Sequence, residues 1–196
     1  ISLTHLRPSM VTPYRVVSGK TIVRRDIEPN ETITTRTIEP LVDRLREIEL
    51  TFTPTKEPSG NPIPIEITSM FGCEVNESIW ADGKLLVILR FPQPLRKGST
   101  YDYGIKNSSQ QPVQRSRQWY LKPTQPMDSL EVELRPSRSD LGREFLLVDG
   151  VDNPKVQHKR GLLPTVKLDN AGVLRHRFEH LLPGLRYGFK WSDPPA

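Results

Sequence analysis

His176 and His180 form the most specific chemical pattern in the sequence, because they frame a glutamate in the order H-x-x-E-H. Zinc peptidases use this order on a helix, where a spacing of four residues brings two histidines to one metal ion. Here Leu174 and Phe178 alternate with charged residues and a Pro-Gly pair follows, so the pattern predicts a strand. At a rise of about 3.3 Å per residue the histidines would lie about 13 Å apart, too far to share zinc. A zinc hydrolase that uses these histidines is therefore the least supported function.

Other catalytic motifs are absent from the sequence. There is no G-x-S-x-G nucleophile motif, no G-x-x-x-x-G-K-[ST] phosphate loop and no G-x-G-x-x-G dinucleotide motif. Cys73 is the single cysteine, and its apolar neighbours are typical of a small buried thiol. The sequence thus predicts a protein that is not an enzyme and that holds no cofactor or metal.

One short segment combines cations with aromatic rings and is a candidate binding edge. Arg115 and Arg117 precede Trp119 and Tyr120, and aromatic and arginine side chains are enriched at protein interfaces. Because tryptophan is highly buried on average, packing of Trp119 or Tyr120 into the core is the favoured alternative.

The charge of the chain is moderately basic, with a formal net charge of +5 and a pI near 9.4. The excess lies in residues 99–196, which carry 15 basic and 11 acidic residues. These basic clusters stand among Pro and Ser and lack the interleaved aromatics of a stacking surface for nucleic acid. We interpret them as solvated loops, so a protein partner is favoured over direct nucleic-acid binding.

A nine-residue element, Leu-x-x-Gly-x-x-Tyr-x-aromatic, occurs twice, with the two copies 86 residues apart. Its defining residues are Leu95, Gly98 and Tyr101 in the first copy, and Leu181, Gly184 and Tyr187 in the second. The order predicts a corner at which Leu closes the core, Gly takes a positive φ, and the chain enters a strand. The tyrosine hydroxyl then bonds the backbone, as in the tyrosine corner of Greek-key sandwiches.

Period-two alternation of apolar residues predicts many short strands along the chain. The first two are expected at 14–17 and 21–27, joined by a hairpin turn at Ser18-Gly19-Lys20. Residues 39–48 fit either a short helix or a turn, and the turn is slightly favoured because alternation resumes at Ile48. The predicted fold is an all-β, Greek-key, immunoglobulin- or fibronectin-like β-sandwich. It is expected to form one extended domain over 1–196, the alternative being two small sandwiches at about 1–109 and 110–196.

The lone cysteine favours a reducing, cytoplasmic compartment, since secreted β domains often carry a disulfide. Asn30, Asn76 and Asn107 each begin an Asn-x-Ser/Thr glycosylation triplet, which favours the opposite location. No apolar run reaches the length of a membrane span, so no membrane association is expected. A start at Ile1 suggests a piece of something longer.

Several stretches resemble the β-rich C-terminal region of actinobacterial helix-turn-helix (XRE-type) regulators. The resemblance lies in residues 14–17, 35–38, 43–44, 52, 89–98 and 130–136. It implies a domain that follows DNA-binding helices and contains none itself. Residues 176–191 separately resemble the closing strands of fibronectin type III domains, which bears on the fold only.

These observations favour a non-catalytic β-sandwich module that serves interaction or signal sensing within a larger cytosolic regulatory protein, in transcription regulation. Its partner would be another protein or another domain of the same chain. The first alternative is an extracellular fibronectin-like adhesion or carbohydrate-binding module, suggested by the glycosylation triplets. The second is the zinc hydrolase based on His176 and His180.

Overall fold

The chain folds almost entirely into β-strands, which confirms the all-β prediction. The computed structural model describes residues 12–54, 60–109 and 117–192. Its elements are β1 (Tyr14–Arg24), β2 (Asn30–Pro40), β3 (Leu45–Phe52), β4 (Ile65–Phe71), β5 (Glu74–Ala81), β6 (Lys84–Leu95), β7 (Tyr101–Ser109), β8 (Gln118–Leu121), β9 (Met127–Arg135), a single 3-10 turn (Arg138–Asp140), β10 (Glu144–Val151), α1 (Pro154–Lys159), β11 (Thr165–Val166), β12 (Leu174–Leu181) and β13 (Arg186–Ser192).

The strands form one large sheet and two smaller ones. The large sheet has the order β12-β9-β1-β2-β7-β4, and β1 and β9 run parallel in it. A three-stranded sheet has the order β3-β6-β5, and a four-stranded sheet has the order β11-β10-β13-β8. Strands from both halves of the chain share the large sheet, because β1 lies between β2 and β9.

One continuous core joins the three sheets. Ile38 of the large sheet, Val87 of the three-stranded sheet and Phe189 of the four-stranded sheet belong to the same cluster of buried side chains. Trp191 and Phe178 are among its largest members and are almost fully buried. A second, smaller cluster of Leu146, Val148 and Leu163 covers the other face of the four-stranded sheet. Alternate residues of β10 therefore contact different clusters, as a strand covered on both faces requires.

The predicted hairpin turn at Ser18-Gly19-Lys20 is wrong, because these residues lie inside the single strand β1. A register shift between Val16 and Ser18 marks a β-bulge at this point. Backbone pairing on both sides, to β2 and to β9, holds the segment extended. Local turn propensity is outweighed here by hydrogen bonds to strands that are distant in sequence.

The short helix considered for residues 39–48 does not form, and the favoured turn is confirmed. Strand β2 continues to Pro40, a turn covers residues 41–44, and β3 begins at Leu45. Arg44 takes a φ of 60°, a conformation that a helix does not allow. The helix α1 occurs elsewhere, with Asn153 as its N-cap and Pro154 in its first turn, and sequence reasoning missed it. No helix in the described ranges is both long and apolar enough to cross a membrane.

Candidate functional site

The second copy of the repeated element has the geometry of a tyrosine corner. Gly184 has a φ of 83°, and the hydroxyl of Tyr187 accepts a hydrogen bond of 2.8 Å from the backbone N–H of Leu182. Leu181 is fully buried, and the ring of Phe178 meets that of Tyr187 edge-on at 5.7 Å. This corner links β12 of the large sheet to β13 of the four-stranded sheet.

The first copy turns in the same way but holds its tyrosine differently. Gly98 has a φ of 75° and Leu95 is buried. Tyr101 packs edge-on against Phe91, with the ring centroids 5.3 Å apart. No hydrogen bond joins the Tyr101 hydroxyl to the backbone of any described residue. The two copies therefore share a turn, and only the second carries the hydroxyl contact.

The histidine pair lies on a strand, as its alternation predicts. His176 and His180 both belong to β12, and His176 stacks edge-on against Phe178 at 4.6 Å. His180 has a positive φ of 52°, and the residue after it, Leu181, is fully buried. Within the described residues no three His, Cys, Asp or Glu side chains are close enough together to hold a metal ion.

The predicted binding edge divides between the two faces of β8. Arg115 lies outside the described residues, and Arg117 is exposed just before the strand. Trp119 is half-buried and packs against the main core. Tyr120 faces the opposite way and packs against the small cluster of the four-stranded sheet. Trp119 and Tyr120 thus pack on different clusters, and both residues border the cleft described below.

The Tyr120 hydroxyl is buried without a hydrogen-bond partner among the described residues. Burial raises the pKa of Tyr120 to about 12. An unfolded tyrosine ionises near pH 10, so the unfolded state loses this proton first as the pH rises. Ionisation of Tyr120 therefore does not affect the free energy of unfolding below about pH 10. Between about pH 10 and about pH 12 the free energy of unfolding falls, because only the unfolded state has lost the proton.

We expect Tyr120→Phe to leave stability at pH 7 unchanged or to raise it by up to about 1 kcal/mol, because no hydrogen bond is lost. The variant should also lose less stability than the parent protein between pH 10 and 12. Urea unfolding at pH 7, 10 and 11.5 measures both effects. A loss above about 1 kcal/mol at pH 7 would show that the hydroxyl has a partner after all.

A cleft of about 600 Å³ opens between the two smaller sheets, above the inner face of the large sheet. One wall is β3 together with Thr53, and the other is β8 with the chain that follows it to Met127. Both wall strands are sheet edges, and neither β6 nor β13, their paired neighbours, lines the cleft. Among residues 12–54, 60–109 and 117–192, no strand pairs with the outer edges of β3 and β8, and both edges border this space. Its volume is in the range of typical ligand pockets, about 300–1,000 Å³.

The floor of the cleft is unusually polar for the inner face of a sandwich. Its side chains are Tyr14, Val16, Thr21, Thr32, Thr34, Arg36, Tyr103, Ile105 and Asn107, from β1, β2 and β7. Burial raises the pKa of Tyr14 and of Tyr103, so both hydroxyls stay neutral donors well above pH 7. Asn107, one of the predicted glycan acceptors, is half-buried here.

Arg36 is the charged residue of this floor, and only 8% of it is exposed. Its guanidinium donates to the carbonyl oxygens of Thr35 at 2.8 Å and Lys20 at 3.3 Å, and to the hydroxyl of Thr21 at 3.3 Å. All of these acceptors are neutral. Burial lowers the pKa of Arg36, yet a guanidinium keeps its proton in proteins. The cleft therefore holds a buried positive charge.

A second depression, of about 440 Å³, lies on the outer face of the large sheet. Lys20 lies 2.7 Å from Glu131 here, and Asp102 accepts a hydrogen bond of 2.6 Å from the Thr37 hydroxyl. Arg177 at its rim pairs with Glu179. Arg36 borders both spaces, and because Lys20, Glu131 and Arg177 already have ion-pair partners, the inner cleft is the stronger candidate site.

Sequence reasoning did not identify the cleft. A signal for it exists in β2, where Thr32, Thr34, Arg36 and Ile38 form the inward-facing series of the alternation. An arginine at a core position of a strand marks a buried charge that needs compensation. That reading requires knowing which face of β2 is inward, which alternation of Thr and Ile alone does not settle.

Cys73 is buried, as its apolar surroundings predict. Its thiol lies 3.7 Å from the Ser69 hydroxyl and 4.0 Å from the carbonyl oxygen of Gly104. Burial raises the pKa of this thiol above its ordinary value, which lowers the thiolate fraction at any given pH.

We expect Cys73 to react with a disulfide reagent at pH 8 on the order of 100-fold more slowly in the folded protein than in guanidinium. The matched control places a cysteine at the exposed Ser78 in a Cys73→Ala background, which should react at the rate of a free thiol. Absorbance of the released thiol measures both rates. Equal rates for the two folded proteins would contradict burial of Cys73.

Comparison with known proteins supports the fold. No family model and no curated protein matches the sequence. Two solved structures that match are those of the M1 zinc metallopeptidase from Deinococcus radiodurans and of a mutant of that enzyme bound to a Tyr-Ser-Ala substrate. The first has 12% identity and a TM-score of 0.48, and the second has 13% identity and a TM-score of 0.50. Both alignments cover 91% of this chain and 42% of the other chain, so this chain spans less than half the length of these two proteins.

Proposed function

We propose that the chain is a non-catalytic β-sandwich interaction domain that binds an extended polypeptide segment in the cleft between its two smaller sheets. The segment would belong to a partner protein or to another part of the same parent chain. An extended peptide that adds to a sheet edge gains main-chain hydrogen bonds for affinity, and neighbouring pockets give specificity.

The observation that carries this proposal is the placement of β3 and β8. In the sheets of the described residues both are edge strands, both line the cleft, and their paired neighbours do not. Exposed strand edges are usually blocked by charge, by proline or by a covering element, because they invite pairing with another chain. Three uncharged residues, Leu50, Thr51 and Phe52, form the end of β3 on this wall, and the charged residue Glu49 precedes them.

The parent protein is proposed to be a cytosolic regulator of transcription. The resemblance to the region that follows helix-turn-helix domains supports this context, and the buried lone thiol agrees with a reducing compartment. In such a protein the cleft would hold a segment of the partner or signal that the regulator responds to.

A panel of blocked seven-residue peptides of varied sequence, titrated into ¹⁵N-labelled protein, tests the proposal. We expect saturable shifts of the backbone amides of β3 and β8 with at least one class of peptide. Amides of β5 are the internal control, because that edge lies away from the cleft. Shifts confined to β5, or no saturable shift at millimolar peptide, would contradict the proposal.

A second candidate context rests on the match to the mutant metallopeptidase structure, which has a TM-score of 0.50. In that context the chain would be an accessory β domain of a longer zinc metallopeptidase-like protein. The chain itself contains no H-E-x-x-H motif, and its described residues offer no metal-ligand cluster, so any zinc ligands would come from outside it. Zinc analysis and a peptidase assay of the parent protein, with this chain alone as control, decide between the two contexts.

A further inference from the structure

The guanidinium of Arg36 has hydrogen-bonding capacity that the described residues leave unused. Arginine has five N–H donors. Nη1 contacts three neutral acceptors, Nη2 contacts only the Thr21 hydroxyl at 3.3 Å, and Nε has no bond with a described residue. Three of the four contacts measure 3.3 Å, longer than the usual distance of about 2.9 Å for such bonds.

No carboxylate of the described residues pairs with Arg36. The other arginines of the large sheet have such partners: Arg15 lies 2.7 Å from Glu39, and Arg135 lies 2.7 Å from Glu133. In those pairs the arginine side chain is more than a third exposed, whereas Arg36 is nine-tenths buried. A buried charge without a counter-charge is strongly unfavourable, so an anion that enters the cleft and pairs with Arg36 would be stabilised.

Gly19, which has no side chain, leaves the space that the Arg36 side chain occupies. The two residues face each other across β1 and β2 in register. A Cβ on Gly19 would lie 2.6 Å from Nη1 and 2.8 Å from Cδ of Arg36, so the arginine side chain lies flat across the backbone of β1. A glycine inside a central strand weakens that strand and commonly marks such a close approach. The position of the guanidinium is therefore built into the sheet.

The charged groups around the cleft do not cancel this positive charge. Glu49 lies at the rim on β3 and is exposed, so water screens it. Lys122 lies on the opposite rim, is also exposed, and adds a positive charge. The remaining polar groups of the floor are hydroxyls and amides, which can donate to an anion.

We propose that the cleft binds an acidic side chain of the extended polypeptide, and that Arg36 is the binding residue for its carboxylate. This inference rests on the proposed function, since it assigns the chemistry that the peptide must carry. The planar guanidinium presents its free donors to a carboxylate in the paired arrangement that arginine favours. The edges of β3 and β8 hold the peptide backbone, and Arg36 selects the side chain.

The test uses two blocked peptides, acetyl-Thr-Val-Thr-Glu-Thr-Val-Thr-amide and its Gln counterpart, titrated into the ¹⁵N-labelled protein. They differ in one charge and have no terminal carboxylate. We expect the Glu peptide to bind at least 10-fold more tightly than the Gln peptide and to shift the Nε–H signal of Arg36. Titration with sodium acetate is the third arm, because it supplies the carboxylate without a peptide.

Two variants of this chain sharpen the result. Arg36→Lys keeps the positive charge but loses the planar pair of N–H donors that a guanidinium presents. Gly19→Ala keeps the arginine but displaces its side chain. Each is expected to reduce the preference for Glu over Gln to less than threefold. Arg177→Lys changes an exposed arginine outside the cleft and should keep the full preference. Backbone amide spectra and thermal midpoints of all three proteins show whether each one is folded. If one of the two cleft variants does not fold, the other still tests the role of Arg36.

The outcomes separate the carboxylate assignment, the proposed function and the role of Arg36. Equal binding of the Glu and Gln peptides at β3 and β8 would overturn the carboxylate assignment and leave the proposed function standing. Saturable acetate shifts at Arg36 without peptide binding would overturn the polypeptide as occupant and with it the proposed function. A preference for Glu that survives both Arg36→Lys and Gly19→Ala would overturn the role of Arg36.

Discussion

Replacing Gly188 with alanine is expected to lower the free energy of unfolding by about 3 kcal/mol and to detach β8 from the four-stranded sheet. Gly188 pairs with Tyr120 of β8 on one side and with Val148 of β10 on the other. A Cβ at this position would overlap the carbonyl oxygen of Trp119 and lie 3.0 Å from the Cα of Tyr120. Both atoms belong to the backbone, so no side-chain rotation relieves the overlap. Strand β8 must move, and with it one wall of the cleft.

Guanidinium unfolding and hydrogen exchange of the β8 amides measure this effect. The matched control is Gly142→Ala, because a Cβ at Gly142 would meet no atom within 4 Å. That variant should stay within about 0.5 kcal/mol of the parent protein. If Gly188→Ala were as stable as Gly142→Ala, with unchanged protection of β8, the tight approach of β8 to β13 would be refuted.

Replacing Tyr187 with phenylalanine is expected to destabilise the protein by about 2 kcal/mol. The hydroxyl of Tyr187 accepts a hydrogen bond from the Leu182 N–H at 2.8 Å, and Tyr187 itself is only 3% exposed. Removing the hydroxyl leaves a backbone donor without its acceptor in a partly buried corner, which costs more than the bond alone contributes. Since this corner joins β12 to β13, we also expect faster exchange of the Leu182 amide.

Tyr101→Phe is the matched control, since it makes the same chemical change in the first copy of the element. Its hydroxyl bonds no described backbone group, and the ring contact with Phe91 is kept. The expected loss is below about 0.5 kcal/mol. Thermal or urea unfolding of both variants gives the comparison. Equal losses in the two copies would mean that the hydroxyl contact in the second copy contributes nothing of its own.

The strands themselves were largely predictable from local pattern. Leu174, Phe178 and their charged neighbours indicate β12 and exclude a shared zinc ion, because the period of two is a property of the segment alone. The turn at residues 41–44 follows from the return of alternation at Ile48. Positive φ values at Gly98 and Gly184 agree with the Leu-x-x-Gly spacing, since glycine is the residue that enters this region without strain.

Prediction was wrong where pairing partners distant in sequence decide the structure. Ser18-Gly19-Lys20 has the composition of a turn, yet β2 and β9 hold it extended from both sides. Glycine is needed at position 19 because the side chain of Arg36 lies against its backbone. Only the register of β1 against β2 shows this contact. Trp119 and Tyr120 are adjacent in sequence but pack against different clusters, because β8 lies between the two clusters.

The histidine pattern and the doubled Leu-x-x-Gly-x-x-Tyr element show what the sequence determined by itself. Local alternation and glycine placement were enough to indicate an all-β chain and to place His176 and His180 on a strand, because both signals depend on neighbours within a few residues. The cleft was decided by tertiary structure alone. Its floor comes from β1, β2 and β7, and its walls come from the edges of β3 and β8. The burial of Arg36 exists only after three sheets meet, since burial is a property of the packed assembly and not of any one segment.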